Sequence, residues 1–493
     1  MDDDAVIEPQ ATTAQEAIGV GAPNRPPHSA ARRSRGWLRS FEAYSERHVL
    51  LTLPLGFASG LPLPLTFSTL SVRLAAAGVR RAAIGAFALV GTPYALKFVW
   101  SPLIDRLPPP LPLGRRRGWG VTIQIALIAA TIGLGRCDPK GDLRLMGMVA
   151  LMVAFLSASQ DIVIDAWRVE MLTEEQQGPG AGLIQTGYRI GMLLSGAGAL
   201  MIAARAGWFV SYAIMAGLLA VGMLVFLLGP EPAQGMEVEL FAGSSVQKIP
   251  PPDQGEGRRG SPAARVRQSE TSAALRQWVA TAVIGPFKDF MRRPQWFAIL
   301  VFVLGYKLGE AMAGVMAMPL YIALGFSLNE IAAVSKLVGF FAAVAGALAG
   351  GAVTKRFGVV RALILCGVLQ SAGNLFYVLQ VVGGHRLDYL ALCVAAENVT
   401  GAMAGTALVA YLSGLCSPAF TATQYALLSS LAAVGRTLVA SSGGVLAERL
   451  GWMQFFLLTT VATVPALLLL MWIVRQSGNR LLTLRSQPHS LDR

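Results

Sequence analysis

A chain of 493 residues that is 54% hydrophobic and only 14% charged is not built like a water-soluble enzyme, because soluble domains carry about 25% charged residues. It reads instead as a protein that crosses a membrane many times. The net charge of +13 would suit nucleic acid on a soluble chain, but most of the basic residues lie in loops between apolar stretches, so no nucleic-acid partner is expected.

Residues 1–36 are polar, with an acidic start (MDDD), prolines at 23, 26 and 27, and a basic end. They lack the apolar core of a signal peptide. Residues 1–47 are therefore expected to form a disordered cytoplasmic tail. Twelve apolar stretches follow, at 49–72, 82–104, 119–135, 145–168, 180–203, 208–228, 296–322, 329–352, 359–382, 388–414, 421–446 and 452–474. About 20 apolar residues span a bilayer as a helix, so these are numbered here as helices 1 to 12. Between helices 6 and 7 runs a polar stretch, 229–277, rich in Pro, Gly, Arg and Gln. Trp278 to Phe290 reads as an interfacial helix at its end. The expected organisation is a six-helix half at 48–228, a cytoplasmic linker at 229–295, a second half at 296–475 and a cytoplasmic tail at 476–493.

The fold class is thus an all-α polytopic membrane protein, with twelve transmembrane helices in two six-helix pseudo-repeats. With the N-terminus inside, about 27 of the 41 Lys and Arg fall in cytoplasmic segments and about 9 outside. That bias places both termini in the cytoplasm. Arg73, Arg80 and Arg81, in the first outer loop, run against it. The halves also repeat: Arg205-Ala206-Gly207-Trp208 and Arg449-Leu450-Gly451-Trp452 lie 244 residues apart, as do Gly191 and Gly435. Two related halves are the layout of a transporter with parallel repeats.

Nine charges lie inside apolar stretches: Lys97, Asp161, Asp165, Arg189, Lys307, Glu310, Lys336, Glu397 and Arg436. A lone charge in a bilayer is costly, so such residues pair, titrate or line a pathway. Glu397 has no charged neighbour in sequence, and Gly401 and Gly405 after it offer a smooth face to another helix. Lys307 and Glu310 share a face. Counting depth along the helices matches Asp161 with Arg189 and Glu397 with Arg436, which predicts one acid–Arg pair in each half. The four Cys and four His form no CxxC pair and no ligand cluster, so neither a metal nor a cofactor is expected. No phosphate-binding loop or nucleophile elbow appears, so the chain is not expected to be an enzyme.

Asp105-Arg106 with Gly114-Arg115-Arg116-Arg117, and Gly350 to Gly358 (GGAVTKRFG), resemble the loop 2–3 and loop 8–9 signatures of the major facilitator superfamily. Thr354 replaces the acid in the second copy. Longer runs are more specific: Leu55 to Pro62 (LGFASGLP), Gly91 to Arg106 (GTPYALKFVWSPLIDR), Ser157 to Arg168 (SASQDIVIDAWR), Tyr306 to Glu310 (YKLGE) and Ala422 to Ser430 (ATQYALLSS). Together they resemble the AmpG-type muropeptide permeases, over about residues 48–475. Trp167 stands where that resemblance leads one to expect Tyr. The resemblance implies import of anhydro-muropeptides, amino-sugar peptides, across the bacterial inner membrane with protons. Relatives on this fold carry acetyl-CoA or assist assembly without transport. A muropeptide carries carboxylates, which Arg binds through two parallel hydrogen bonds. Arg189, Arg436, Lys97 and Lys307 are the expected substrate clamps, and Tyr188 and Tyr94 the expected sugar-stacking rings. Glu397 is the expected proton-coupling residue, with Asp161 and Glu310 as alternates, and Asp105, Arg106, Asp165 and Arg168 are expected to gate. The expected partners are the amino-sugar peptide, protons and the lipid bilayer, around a monomer.

Overall fold

The structure is a computed structural model, and it describes residues 37–232 and 284–477. Most of these residues are helical, joined by short turns, with no strand among them. Nine of the described stretches are long and apolar enough to cross a bilayer. One of them, Glu174–Leu228, is 55 residues long and divides at Gly207, where φ 84° and ψ 165° break the helix. Helices 5 and 6 lie on either side of that break. Likewise Thr421–Val461 divides at Gly451, with φ 74° and ψ 164°, which separates helix 11 from helix 12. Helix 2 is a string of short helical pieces between residues 81 and 106. Pro93 and Pro102 each sit in the first turn of a new piece, where a missing N–H costs nothing. The arrangement is consistent with the twelve expected crossings.

The backbone carries the repeat more plainly than the side chains do. Gly114 (φ 89°, ψ 163°) opens helix 3 and Gly358 (φ 81°, ψ 160°) opens helix 9, and these two are also 244 residues apart. All four breaks fall in a region of backbone space open only to glycine. A methyl group at Gly358 would meet nothing within 4 Å, so its cost is backbone strain alone. Gly358→Ala should lower stability by about 1–3 kcal/mol in thermal unfolding of the purified protein. Gly414→Ala, also in open space but with no left-handed φ, should leave it unchanged. Equal losses would show that the left-handed backbone is not what demands glycine.

The expectation of disorder through residue 47 fails at its end. Trp37–Glu42 is helical, Ala43 is fully buried, and the Tyr44 hydroxyl donates to the Leu348 carbonyl at 2.5 Å. The reason is a notch in the facing helices: a methyl group at Gly351 would lie 2.3 Å from the Tyr44 oxygen. Residues 1–36 lie outside the described residues. Gly285–Met291 is helical, with Phe290 buried; the rest of the expected interfacial helix, 278–283, lies outside them, as does most of the linker. The linker's first residues are tied down. The Glu231 carboxylate accepts the backbone N–H groups of Arg116 at 2.7 Å and Arg117 at 3.0 Å. Trp167, the departure noted above, donates its indole N–H to the Pro230 carbonyl at 3.1 Å. Trimming within 236–277 should therefore leave transport intact, while deleting Pro230 and Glu231 should reduce it severalfold. Equal loss from both deletions would make the whole linker more than a tether.

Candidate functional site

At the end of the bundle that carries loop 2–3, the two halves are joined by buried charge. Asp105, 2% exposed, closes the short last piece of helix 2. Its carboxylate accepts from the backbone N–H groups of Ala422 (3.3 Å) and Thr423 (2.8 Å) and from the Thr423 hydroxyl (2.7 Å). An acid thus caps the N-terminus of helix 11 from the other half, where first-turn N–H groups lack helical partners and the helix dipole favours a negative charge. Arg116 holds that acid at 2.8 Å and is itself held by Glu170 through two bonds, of 2.5 and 3.0 Å. The Arg106 guanidinium lies 4.9 Å over the Phe420 ring and that of Arg168 lies 5.3 Å over Tyr425. Three of the four expected gating residues therefore touch helix 11 or the turn before it. The fourth, Asp165, sits between Lys97 (3.7 Å) and Arg168 (3.8 Å).

The other seam, between helices 5 and 8, is made differently. Thr354 bonds back to the Gly350 carbonyl of its own helix and packs on Gly178, where a methyl group would lie 2.7 Å from it. Gly178 stands 244 residues before Ala422. One seam is thus an acid on a helix end and the other is close backbone packing at glycines. Lys355 reaches Glu46 at 3.8 Å, and Glu46 bonds Gln176, so a few charges line the rim of the second seam.

Deeper in the bundle are two polar clusters. In the N-terminal half the Asp161 carboxylate accepts from the Ser59 hydroxyl at 2.6 Å. Lys97, Asp165 and Tyr94 lie within electrostatic range of it. A cavity of about 180 Å3 opens beside it, lined in part by Gln185, Tyr188 and, from the other half, Tyr425. In the C-terminal half, Lys307 pairs with Glu310 and donates to the Gly401 carbonyl at 2.9 Å. Glu310 is bonded in turn by Gln370. Glu397 lies close by, with Tyr377, Glu310, Arg189 and Lys307 in electrostatic range.

The expected Asp161–Arg189 pair does not form, and the expected Glu397–Arg436 pair falls on a side chain outside the described residues. Asp161 has Ser59 rather than Arg189, and Arg189, on helix 5 of the first half, lies toward Glu397 of the second. Arg436 lies among residues 436–441, whose side chains are outside the described residues. The smooth face of helix 10 also serves another purpose than the one expected. Gly401 makes room for Glu310, whose oxygen would lie 3.2 Å from a methyl group there, and Gly405 for Gln185 at 3.3 Å. The close helix contact falls instead at Gly346 and Gly350 of helix 8, against the backbone of Val399 and Met403. The Gly187–Gly191 face of helix 5 does receive a helix, meeting the Leu53 and Phe57 carbonyls of helix 1. Gln370, Tyr377 and Gln185 went unnoticed in the sequence. The signal for the first was a buried amide in an apolar stretch, four residues before another, Asn374.

Comparison with known proteins agrees with this architecture. Residues 48–208 match the family model described as "Acetyl-coenzyme A transporter 1". The chain resembles the solved structures of the Escherichia coli fucose:proton symporter (TM-score 0.59, 12% identity, covering 86% of this chain and 98% of that one) and of a proton:xylose symporter of the major facilitator superfamily (0.56, 14%, 89% and 96%). These show the fold. It is also 39% identical to the anhydromuropeptide permease of Escherichia coli strain K12, over 90% of this chain and 82% of that protein. The chain belongs to the AmpG permease family. As an AmpG-family member on the major facilitator fold it is a transporter and not an enzyme, a multi-pass protein of the inner membrane that handles a small-molecule substrate.

Proposed function

We propose that this permease imports anhydro-muropeptides into the cytoplasm by proton symport, as a monomer in the lipid bilayer, with both termini and the loop 2–3 face in the cytoplasm. The observation that carries the reading is the set of charges gathered between the halves: Glu397, Glu310 and Lys307 on one side, Arg189, Asp161 and Lys97 on the other. A protein with no pathway has little use for them. In this reading Asp105, Arg106, Asp165 and Arg168 hold the cytoplasmic side closed, and Arg189 is the clamp for a substrate carboxylate, since its side chain is an accessible cation among the described residues there. Lys97 and Lys307, tied to Asp165 and Glu310, bind substrate only by exchanging partners. Arg436 keeps its proposed clamp role on sequence grounds. Tyr188, beside the cavity, and Tyr94 supply sugar-facing rings. Glu397 takes the coupling proton, with Asp161 and Glu310 as alternates.

A second reading follows from the matched acetyl-coenzyme A transporter model, namely transport of another anionic solute. One assay separates the two. Proteoliposomes should accumulate labelled anhydro-muropeptide when the outside is acidified, and not when the gradient is collapsed. Accumulation of acetyl-CoA and not of the muropeptide would favour the second reading; uptake of neither would overturn both.

A further inference from the structure

The helix 3 and helix 6 ends remote from loop 2–3 border a cavity of about 690 Å3, whose lining includes Arg73, Arg136, Asp138, Lys140, Trp208 and Phe209. None of the central-site residues lines it. Arg73 is already engaged. Its guanidinium donates to the carbonyls of Leu134, Gly135 and Cys137 at 2.9, 3.1 and 2.5 Å, which closes the end of helix 3 and explains one of the three arginines that run against the loop-charge bias. Asp138 accepts the Lys140 backbone N–H at 3.0 Å. Arg136 and Lys140 are left, both exposed and neither within ion-pair distance of a carboxylate among the described residues. Arg136 lies 5.5 Å over the Phe209 ring. The lining thus holds three cations and one acid. Beside it helix 6 presents an exposed apolar strip, Phe209, Val210 and Ile214.

From this juxtaposition we propose that the cavity binds the headgroup of an anionic phospholipid. Arg136 and Lys140 take the phosphate, Arg73 and the indole of Trp208 form the floor, and the acyl chains run down the strip from Phe209 to Ile214. A soluble anion would use the two cations but not the apolar strip, whereas a zwitterionic lipid would use the strip but cancel its own charge. Basic pockets between transmembrane helices and interfacial Trp residues serve headgroups in this way.

The test uses the purified full-length protein in detergent, titrated with dihexanoyl phosphatidylglycerol and followed by native mass spectrometry. Saturable binding of one lipid is expected. Dihexanoyl phosphatidylcholine should bind at least tenfold more weakly, and glycerol 3-phosphate no better than that. Replacing both exposed cations (Arg136→Gln with Lys140→Gln) should weaken phosphatidylglycerol roughly 30-fold, at about fivefold per cation. Equal affinity for the two lipids, which needs no variant, would overturn the proposal. So would undiminished binding by a double variant that elutes as a folded monomer. Glycerol 3-phosphate binding as tightly as the lipid would reassign the cavity to a soluble anion, and displacement by anhydro-muropeptide would reassign it to substrate capture.

Discussion

Glu397→Gln should abolish proton-driven accumulation, bringing the inside-to-outside substrate ratio to about one, while exchange at equal concentrations on the two sides continues. The substitution keeps the shape and removes the titrating group. Its force comes from where the nearby cations sit. Lys307 is held on its own half by Glu310 and the Gly401 carbonyl. Arg189 is the cation near Glu397 that belongs to the other half. In the proposed symport, rocking of the halves separates Arg189 from Glu397, and a carboxylate deprived of its cation is an uncompensated buried charge costing several kcal/mol. Taking a proton removes that charge, and a substrate carboxylate can then occupy the guanidinium. The same logic makes the double variant Arg189→Gln with Glu397→Gln less damaging to folding than Arg189→Gln alone. The measurement is uptake in proteoliposomes with and without an imposed proton gradient. Gradient-driven accumulation by Glu397→Gln would pass the coupling role to Asp161 or Glu310.

Asp105→Ala should open the loop 2–3 face. It removes four contacts at once: two N–H caps on helix 11, the Thr423 hydroxyl and one partner of the buried Arg116. The Arg116 contact lies within one half and is lost from both states, but the bonds to helix 11 cross the seam; hydrogen bonds to a charged group are worth about 1.5–3 kcal/mol each, so the two short ones, at 2.8 and 2.7 Å, give about 3 kcal/mol at the lower end. A loss of about 3 kcal/mol from the closed state alone shifts the closed-to-open ratio by roughly a hundredfold. Spin labels at positions 107 and 419, on opposite sides of the seam, should move from a short to a long distance, and transport should fall at least tenfold. Asp105→Asn, which keeps an acceptor but not the charge, should lie between. An unchanged label distance in the alanine variant would mean that the glycine seam of helices 5 and 8 alone keeps this face shut.

Apolar length made the crossings legible, and an acid in an apolar stretch marked Glu397, Asp161 and Glu310. Which residues would pair was not legible. Counting residues along a helix gives the height of a side chain in the bilayer but not the direction it points, nor which half it meets. Asp161 and Arg189 match in height, yet a serine from helix 1 reaches Asp161 first. Gly401 and Gly405 illustrate the same limit: two small residues four apart mark a groove, and the sequence does not say whether a backbone or a carboxylate fills it. Trp167 could be seen as unusual, but its partner is a carbonyl 63 residues away.

The four glycines at 114, 207, 358 and 451 bear on the symmetry of the chain. Each holds a conformation that no L-residue adopts without strain, and they fall into two pairs with the same offset. Side chains around them are free to diverge, as Thr354 has from Asp105, because many residues can fill a seam. An achiral position has no substitute. At these four positions backbone handedness therefore keeps the internal symmetry of the two halves where the side chains beside them differ.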